Sequence, residues 1–75
     1  MGYRLSELDL SASARITALA VAGPLRRRLQ DLGFVPGAEV RVLYAGFHDG
    51  IRAYAIGGSV IALRRSDAAH IIIAE

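Results

Sequence analysis

The residues able to do chemistry are few. His48 and His70 are the only imidazoles, and the chain has no cysteine. Neither histidine stands in an H-x-x-H or H-x-H spacing, whereas a transition-metal site needs imidazoles and carboxylates in a cluster. His48-Asp49 could hold an adventitious metal, but a plain loop histidine accounts for the pair. No serine has a histidine beside it in a nucleophile arrangement. Gly57-Gly58 is not followed by the Lys-Ser/Thr of a phosphate loop. The sequence therefore predicts no catalytic residue, no metal ligand set and no cofactor. What remains is cationic: Arg26-Arg27-Arg28, inside the stretch GPLRRRLQDLGFVPG at 23–37.

That stretch must position the arginines, and its two ends are specified by residue type. Pro24 suits a first helical position, where a missing N–H loses nothing. Leu25, Leu29 and Leu32 fall on one helical face. Gly33 supplies the left-handed residue that closes a helix, so Phe34 packs back on Leu29. Val35 is driven extended by Pro36, and Pro36-Gly37 is the central pair of a type II turn. On the wheel, Arg27 points away from the leucines and Arg26 and Arg28 flank them. The spacing pairs Arg27 with Asp31 at i+4, and Arg28 lies along the barrel.

The rest of the chain reads as short strands. Leu5 to Leu8 is a single turn with both leucines inward. Residues 12–20 read as a first strand, with Ala14, Ile16 and Ala18 on one side and Arg15, Thr17 and Leu19 on the other, although the alanines would equally suit a helix. Residues 39–45 form the clearest strand, with Val40, Val42 and Tyr44 sharing a side. Gly46 to Gly50 is a hairpin loop, residues 51–56 return, and Gly57-Gly58 turns tightly into residues 59–63. Ser66 to His70 is a capped turn, and Ile71-Ile72-Ile73 is a last strand. Five strands and one helix after the first strand make a mainly β fold, a small closed barrel that leaves no edges.

Composition sets the bounds. Seventy-five residues make one domain, 1–75, and 53% of them are hydrophobic. Net charge is +2, and all nine basic residues are arginine, which favours fixed, forked contacts over loose screening. The absence of cysteine fits a reducing compartment. No run reaches the ~18 apolar residues of a membrane span. The opening Met-Gly-Tyr-Arg-Leu-Ser matches a myristoylation pattern only loosely, and acidic residues precede the small apolar run at 16–23. A cytoplasmic protein without membrane insertion is expected. Nucleic-acid binding is not: the aromatics do not interleave with arginines on one face. Three arginines less one aspartate leave the 23–37 stretch at only +2, too little for strong phosphate binding.

The run Leu29-x-x-Leu32-Gly33-Phe34-x-Pro36-Gly37-x-x-Val40, preceded by Arg27-Arg28, resembles the FeoA family, small cytosolic components of bacterial ferrous-iron transport systems. Leu5-x-x-Leu8 and Ala14-Arg15-Ile16 look like its opening. Ile61-Ala62-Leu63-Arg64-Arg65-x-x-Ala68-x-x-Ile71 looks like its close. The resemblance implies an SH3-like barrel and a non-enzymatic accessory role beside FeoB, a membrane permease with a cytosolic GTP-binding domain. Three departures stand out. Leu10-Ser11 replaces a usual Pro-Gly pair, Gly46 to Gly50 lacks a Gly-Asp-Pro-like sequence, and Gly57-Gly58 is a more flexible connection than usual.

On this reading the docking surface for the permease is Leu25, Arg26, Arg27 and Gln30 on the helix, with Phe47 and His48 on the hairpin loop. Phe47 is the apolar residue the barrel pattern explains least. Three rivals remain: the SH3-like regulatory module of metal-dependent repressors, a small nucleic-acid-binding barrel, and a self-associating module with Ile71 and Ile73 at its contact.

Overall fold

The computed structural model describes residues 2–74, apart from the side chain of Phe47. Six strands form one antiparallel sheet: β1 (Tyr3–Arg4), β2 (Ser13–Leu19), β3 (Glu39–Ala45), β4 (Ile51–Ile56), β5 (Ser59–Arg64) and β6 (Ile71–Ala74). Their order across the sheet is β1-β6-β2-β3-β4-β5. Helix α1 (Gly23–Asp31) links β2 to β3, a 3-10 turn at Leu5–Glu7 follows β1, and α2 (Arg65–Ala68) separates β5 from β6.

The organising stretch folds as its residue types dictate. Gly33 has φ of +103°, and the Phe34 N–H donates to the Leu29 carbonyl at 2.9 Å. Both side chains are fully buried. Phe34 meets Tyr54 edge-on, with ring centroids 6.3 Å apart, the favoured arrangement for two quadrupolar rings. Leu25 and Leu32 pack against this core from its margin. Gly37 has φ of +94°, and Ala38 donates back to Val35 at 3.1 Å, which completes the type II turn.

Several expectations need correction. A sixth strand, β1, precedes the first predicted one. It is only two residues long and pairs Tyr3 with Ile73 and Arg4 with Ile72, so no local periodicity announces it. The sheet does not close by backbone pairing, because β1 and β5 remain its two edges. The side between them is spanned by packing of the 3-10 turn on α2. Irregular pairing between Ile16 and Ala18 turns Leu19 inward and leaves Ala18 exposed. A second irregularity between Val42 and Tyr44 does the same to β3, and Tyr44 is 62% exposed rather than sharing the side of Val42. A bulge's extra residue reverses the alternation beyond it. Helix α2 starts at Arg65, and its N-cap is Arg64 with no side-chain cap bond. Ile71 and Ile73 are fully buried, so they cannot form a subunit contact.

The turn at Leu10-Ser11 is closed by backbone hydrogen bonds. Ala12 donates to the Asp9 carbonyl at 3.1 Å, and Ser11 donates to Val42 at 2.8 Å. Ser11 has φ of +69°, the left-handed setting that glycine holds more easily. The Gly57-Gly58 turn is equally determined: φ values of +54° and +84° are those of a type I′ hairpin, which glycine satisfies without strain.

Two substitutions test this account. Ser11→Gly should raise stability by up to about 1 kcal/mol, which thermal unfolding would register at about 4–8 °C per kcal/mol for a domain this size. The Tyr54 hydroxyl is buried without a hydrogen-bond partner among the described residues, and burial holds its pKa above the ordinary 10.0. Tyr54→Phe should therefore leave stability unchanged or higher in denaturant titration. A loss above about 1 kcal/mol would mean that the hydroxyl is satisfied.

Candidate functional site

Helix α1 carries the predicted docking residues on a short amphipathic segment whose inner face is fixed by Leu29. Arg26, Arg27 and Gln30 come together around a shallow depression that Gly23 and Pro24 complete. Arg27 and Gln30 are exposed. Leu25 is not part of the depression; it is half-buried against the core. His48 is exposed on the loop between β3 and β4, with φ of +59°, and it does not line the helix depression. The side chain of Phe47 lies outside the described residues.

The arginines of α1 have separate tasks. Arg26 Nη1 donates to the Leu19 carbonyl at 3.1 Å and the Val21 carbonyl at 3.3 Å. It thereby holds the segment leading from β2 into the helix. Arg27 forms no ion pair with Asp31: among the described residues the ion pairs all converge on Asp49. Arg28 faces a second depression with Ile51, Ala62, Leu63, Arg64 and Asp67, alongside the barrel as its position on the wheel predicts.

Asp49 is the electrostatic centre of the loop. Arg52 Nε donates to its Oδ1 at 2.8 Å and Arg52 Nη2 to its Oδ2 at 3.1 Å. Arg65 Nη1 also donates to Oδ2. The third Arg52 contact is Nη1 to the Leu8 carbonyl at 2.6 Å. The hydrogen bond from Arg52 leads the effects that hold the Asp49 carboxyl below its ordinary value of 3.8, with the charges of Arg52 and Arg65 adding to it. Both carboxylate oxygens are engaged, so a metal at His48-Asp49 would have to displace guanidinium. Among the described residues no group of three His, Cys, Asp or Glu side chains is placed to hold a metal ion.

Sequence reasoning placed Asp49 in the loop but missed its partners. One signal was present. Arg52 alternates with Tyr54 and Ile56, so it faces the core, and a buried cation requires a counter-charge. Arg65 comes from a distant turn, and spacing could not nominate it.

A carboxyl with a lowered folded pKa stabilises the fold above its unfolded pKa, and that stability is lost as pH falls through the folded value. Asp49→Asn should therefore lower Tm at pH 7, and its deficit against the parent should shrink below the ordinary carboxylate value of 3.8. Thermal unfolding across that range measures it; an equal deficit at both ends would remove the electrostatic explanation.

Comparison with known proteins places this architecture. Curated proteins yield no sequence match. Stenotrophomonas maltophilia FeoA, solved with zinc and described as a prokaryotic SH3 domain protein, is 35% identical and covers 95% of this chain and 88% of its own, with a TM-score of 0.83. An FeoA-like protein from Clostridium acetobutylicum has a TM-score of 0.90 at 23% identity, with 97% and 85% coverage. A manganese-dependent transcriptional repressor shares the fold alone: its TM-score is 0.84 at 19% identity, over 96% of this chain and 40% of that one. The FeoA domain model matches residues 3–75, from the first residue of β1 through β6. This chain belongs to the FeoA family, whose proteins have an SH3-like fold and are associated with ferrous iron transport.

Proposed function

We propose that this chain is a non-enzymatic accessory of a bacterial ferrous iron uptake system, working in the cytoplasm by docking on the cytosolic GTP-binding region of an FeoB-type permease. One observation carries the docking surface: exposed Arg27 and Gln30 stand on the outer face of α1 at a solvent-open depression. Exposed arginine beside a concave apolar floor suits an acidic partner, because its guanidinium fork matches carboxylate geometry. His48 extends this surface only if the partner also reaches the β3–β4 loop. Among the described residues no helix is long and apolar enough to cross a membrane.

The description of the Stenotrophomonas protein raises activation of ferrous iron transport, and the same direction is proposed here. The likeness to the manganese-dependent repressor is one of fold alone, so regulation of transcription gains no separate support.

The test is a titration of the protein against the isolated cytosolic domain of its permease, with nucleotide varied. Arg27→Glu should weaken binding roughly tenfold, about 1.4 kcal/mol, and steepen no unfolding transition. Arg26→Glu is the poorer probe, since it also releases the Leu19 and Val21 carbonyls. Unchanged affinity for Arg27→Glu would remove α1 from the docking surface.

A further inference from the structure

Strand β5 is an open edge that the accessory role does not use. It pairs with β4 alone. The Gly57-Gly58 turn is two residues long, so Ile56 and Ser59 form a hydrogen-bonded pair. Tyr54 with Ile61 and Arg52 with Leu63 follow in the same phase. The N–H and C=O groups of Val60 and Ala62 therefore point away from β4. They have no hydrogen-bond partner among the described residues. Val60 is 60% exposed, and Ala62 is exposed beside it. Edges of soluble sheets are normally protected by charge, proline or a bulge; from Ser59 to Leu63 this one has no charged residue and no proline.

We propose that β5 pairs with β5 of a second copy of this chain, antiparallel, with the two-fold axis at Ile61. Val60 then faces Ala62 of the other copy twice. Four backbone hydrogen bonds use every free N–H and C=O of those residues in both copies. Such an isologous contact needs one self-complementary surface, which the edge supplies. Ile61, half-buried at the margin of the core, meets its own counterpart across the axis, in the close spacing of a non-hydrogen-bonded pair.

Charge selects this arrangement. Arg64 lies three residues from the axis, which puts the two Arg64 positions roughly 20 Å apart at about 3.4 Å per residue. That exceeds the screening length of about 8 Å at physiological salt. Parallel pairing would set Arg64 beside Arg64. On the outer face, Tyr44, Ala53 and Ala62 stand in adjacent registers across β3, β4 and β5. The joined sheet continues that apolar row into the second copy. The contact is small, so the dimer is weak and concentration-dependent.

Amide exchange and sedimentation of the full chain, from about 10 µM to about 1 mM, test the pairing over the range where small interfaces associate. The proposal predicts dimer formation across this range. The Val60 and Ala62 amides should exchange at least tenfold more slowly at the upper end. Ala62→Pro should fold, because its N–H points away from β4 and proline is tolerated on an edge, and should stay monomeric. A monomer at the highest concentration overturns the proposal, as does a dimer that survives Ala62→Pro. Protection of Val60 and Ala62 that appears only when the permease domain is added also overturns it, by assigning the edge to a foreign strand. Should Ala62→Pro fail to fold, the exchange of the unaltered chain decides alone.

Discussion

Between β1 and β5 the sheet has no backbone ladder, and the buried guanidinium of Arg52 is what ties that side together. One arm reaches the Leu8 carbonyl, at the end of the N-terminal 3-10 turn, and the others clamp Asp49. A buried cation is tolerable only when its donors are satisfied and its charge is met. Asp49 supplies the charge and shares it with Arg65, which opens α2. The contact thus gathers the start of the chain, the β3–β4 loop and the entrance to α2 around one side chain. It also explains why His48 and Asp49 can sit consecutively at positive φ, +59° and +56°. The bonds around them over-determine a conformation that the backbone alone disfavours.

Other arginines are used in the same manner. Arg15 Nη1 donates to the Gly37 carbonyl at 2.6 Å and steadies the turn that feeds β3, while Arg26 secures the segment before α1. A planar fork can hold two backbone acceptors in fixed directions, which a lysine ammonium on a flexible stem does less well. A chain with arginine as its only basic side chain thereby uses part of its positive charge as internal bracing. The triplet 26–28 illustrates the division. One guanidinium is committed to backbone carbonyls, one stands at the open depression, and one lies beside the barrel.

Legibility in the sequence followed the range of the forces involved. The helix cap at Gly33-Phe34, the type II turn at Pro36-Gly37 and strands β3 and β4 are set by residues within a few positions of each other, and all were readable. The two irregular pairings were not, because a bulge is defined by the partner strand. Without it, Leu19 and Tyr44 fall on the wrong faces. Strand β1 exists only through β6, and the Asp49 contacts depend on Arg65. For the candidate site, the sequence brought Arg26, Arg27 and Gln30 to one helix face. It could not tell that Arg26 would be occupied by carbonyls, since that depends on where β2 ends; Leu25, by contrast, follows the leucine spacing to the margin of the core rather than the docking surface.

The position of β6 in the sheet has a consequence for how the protein is made. It lies between β1 and β2, with Ile73 opposite both Tyr3 and Ile16, yet it follows every other element in sequence. During synthesis the β3–β4–β5 meander can form from local contacts as soon as it emerges, whereas β1 has no partner and β2 only one until residues 71–74 arrive. A ribosome-bound chain therefore carries the β2–β3–β4–β5 ladder with β2 as a temporary edge, and β1 joins the sheet only after residues 71–74 leave the exit tunnel. A chain that stops before Ile71 would leave β1 without its partner strand and β2 as an open edge, the kind of unpaired strand that invites aggregation.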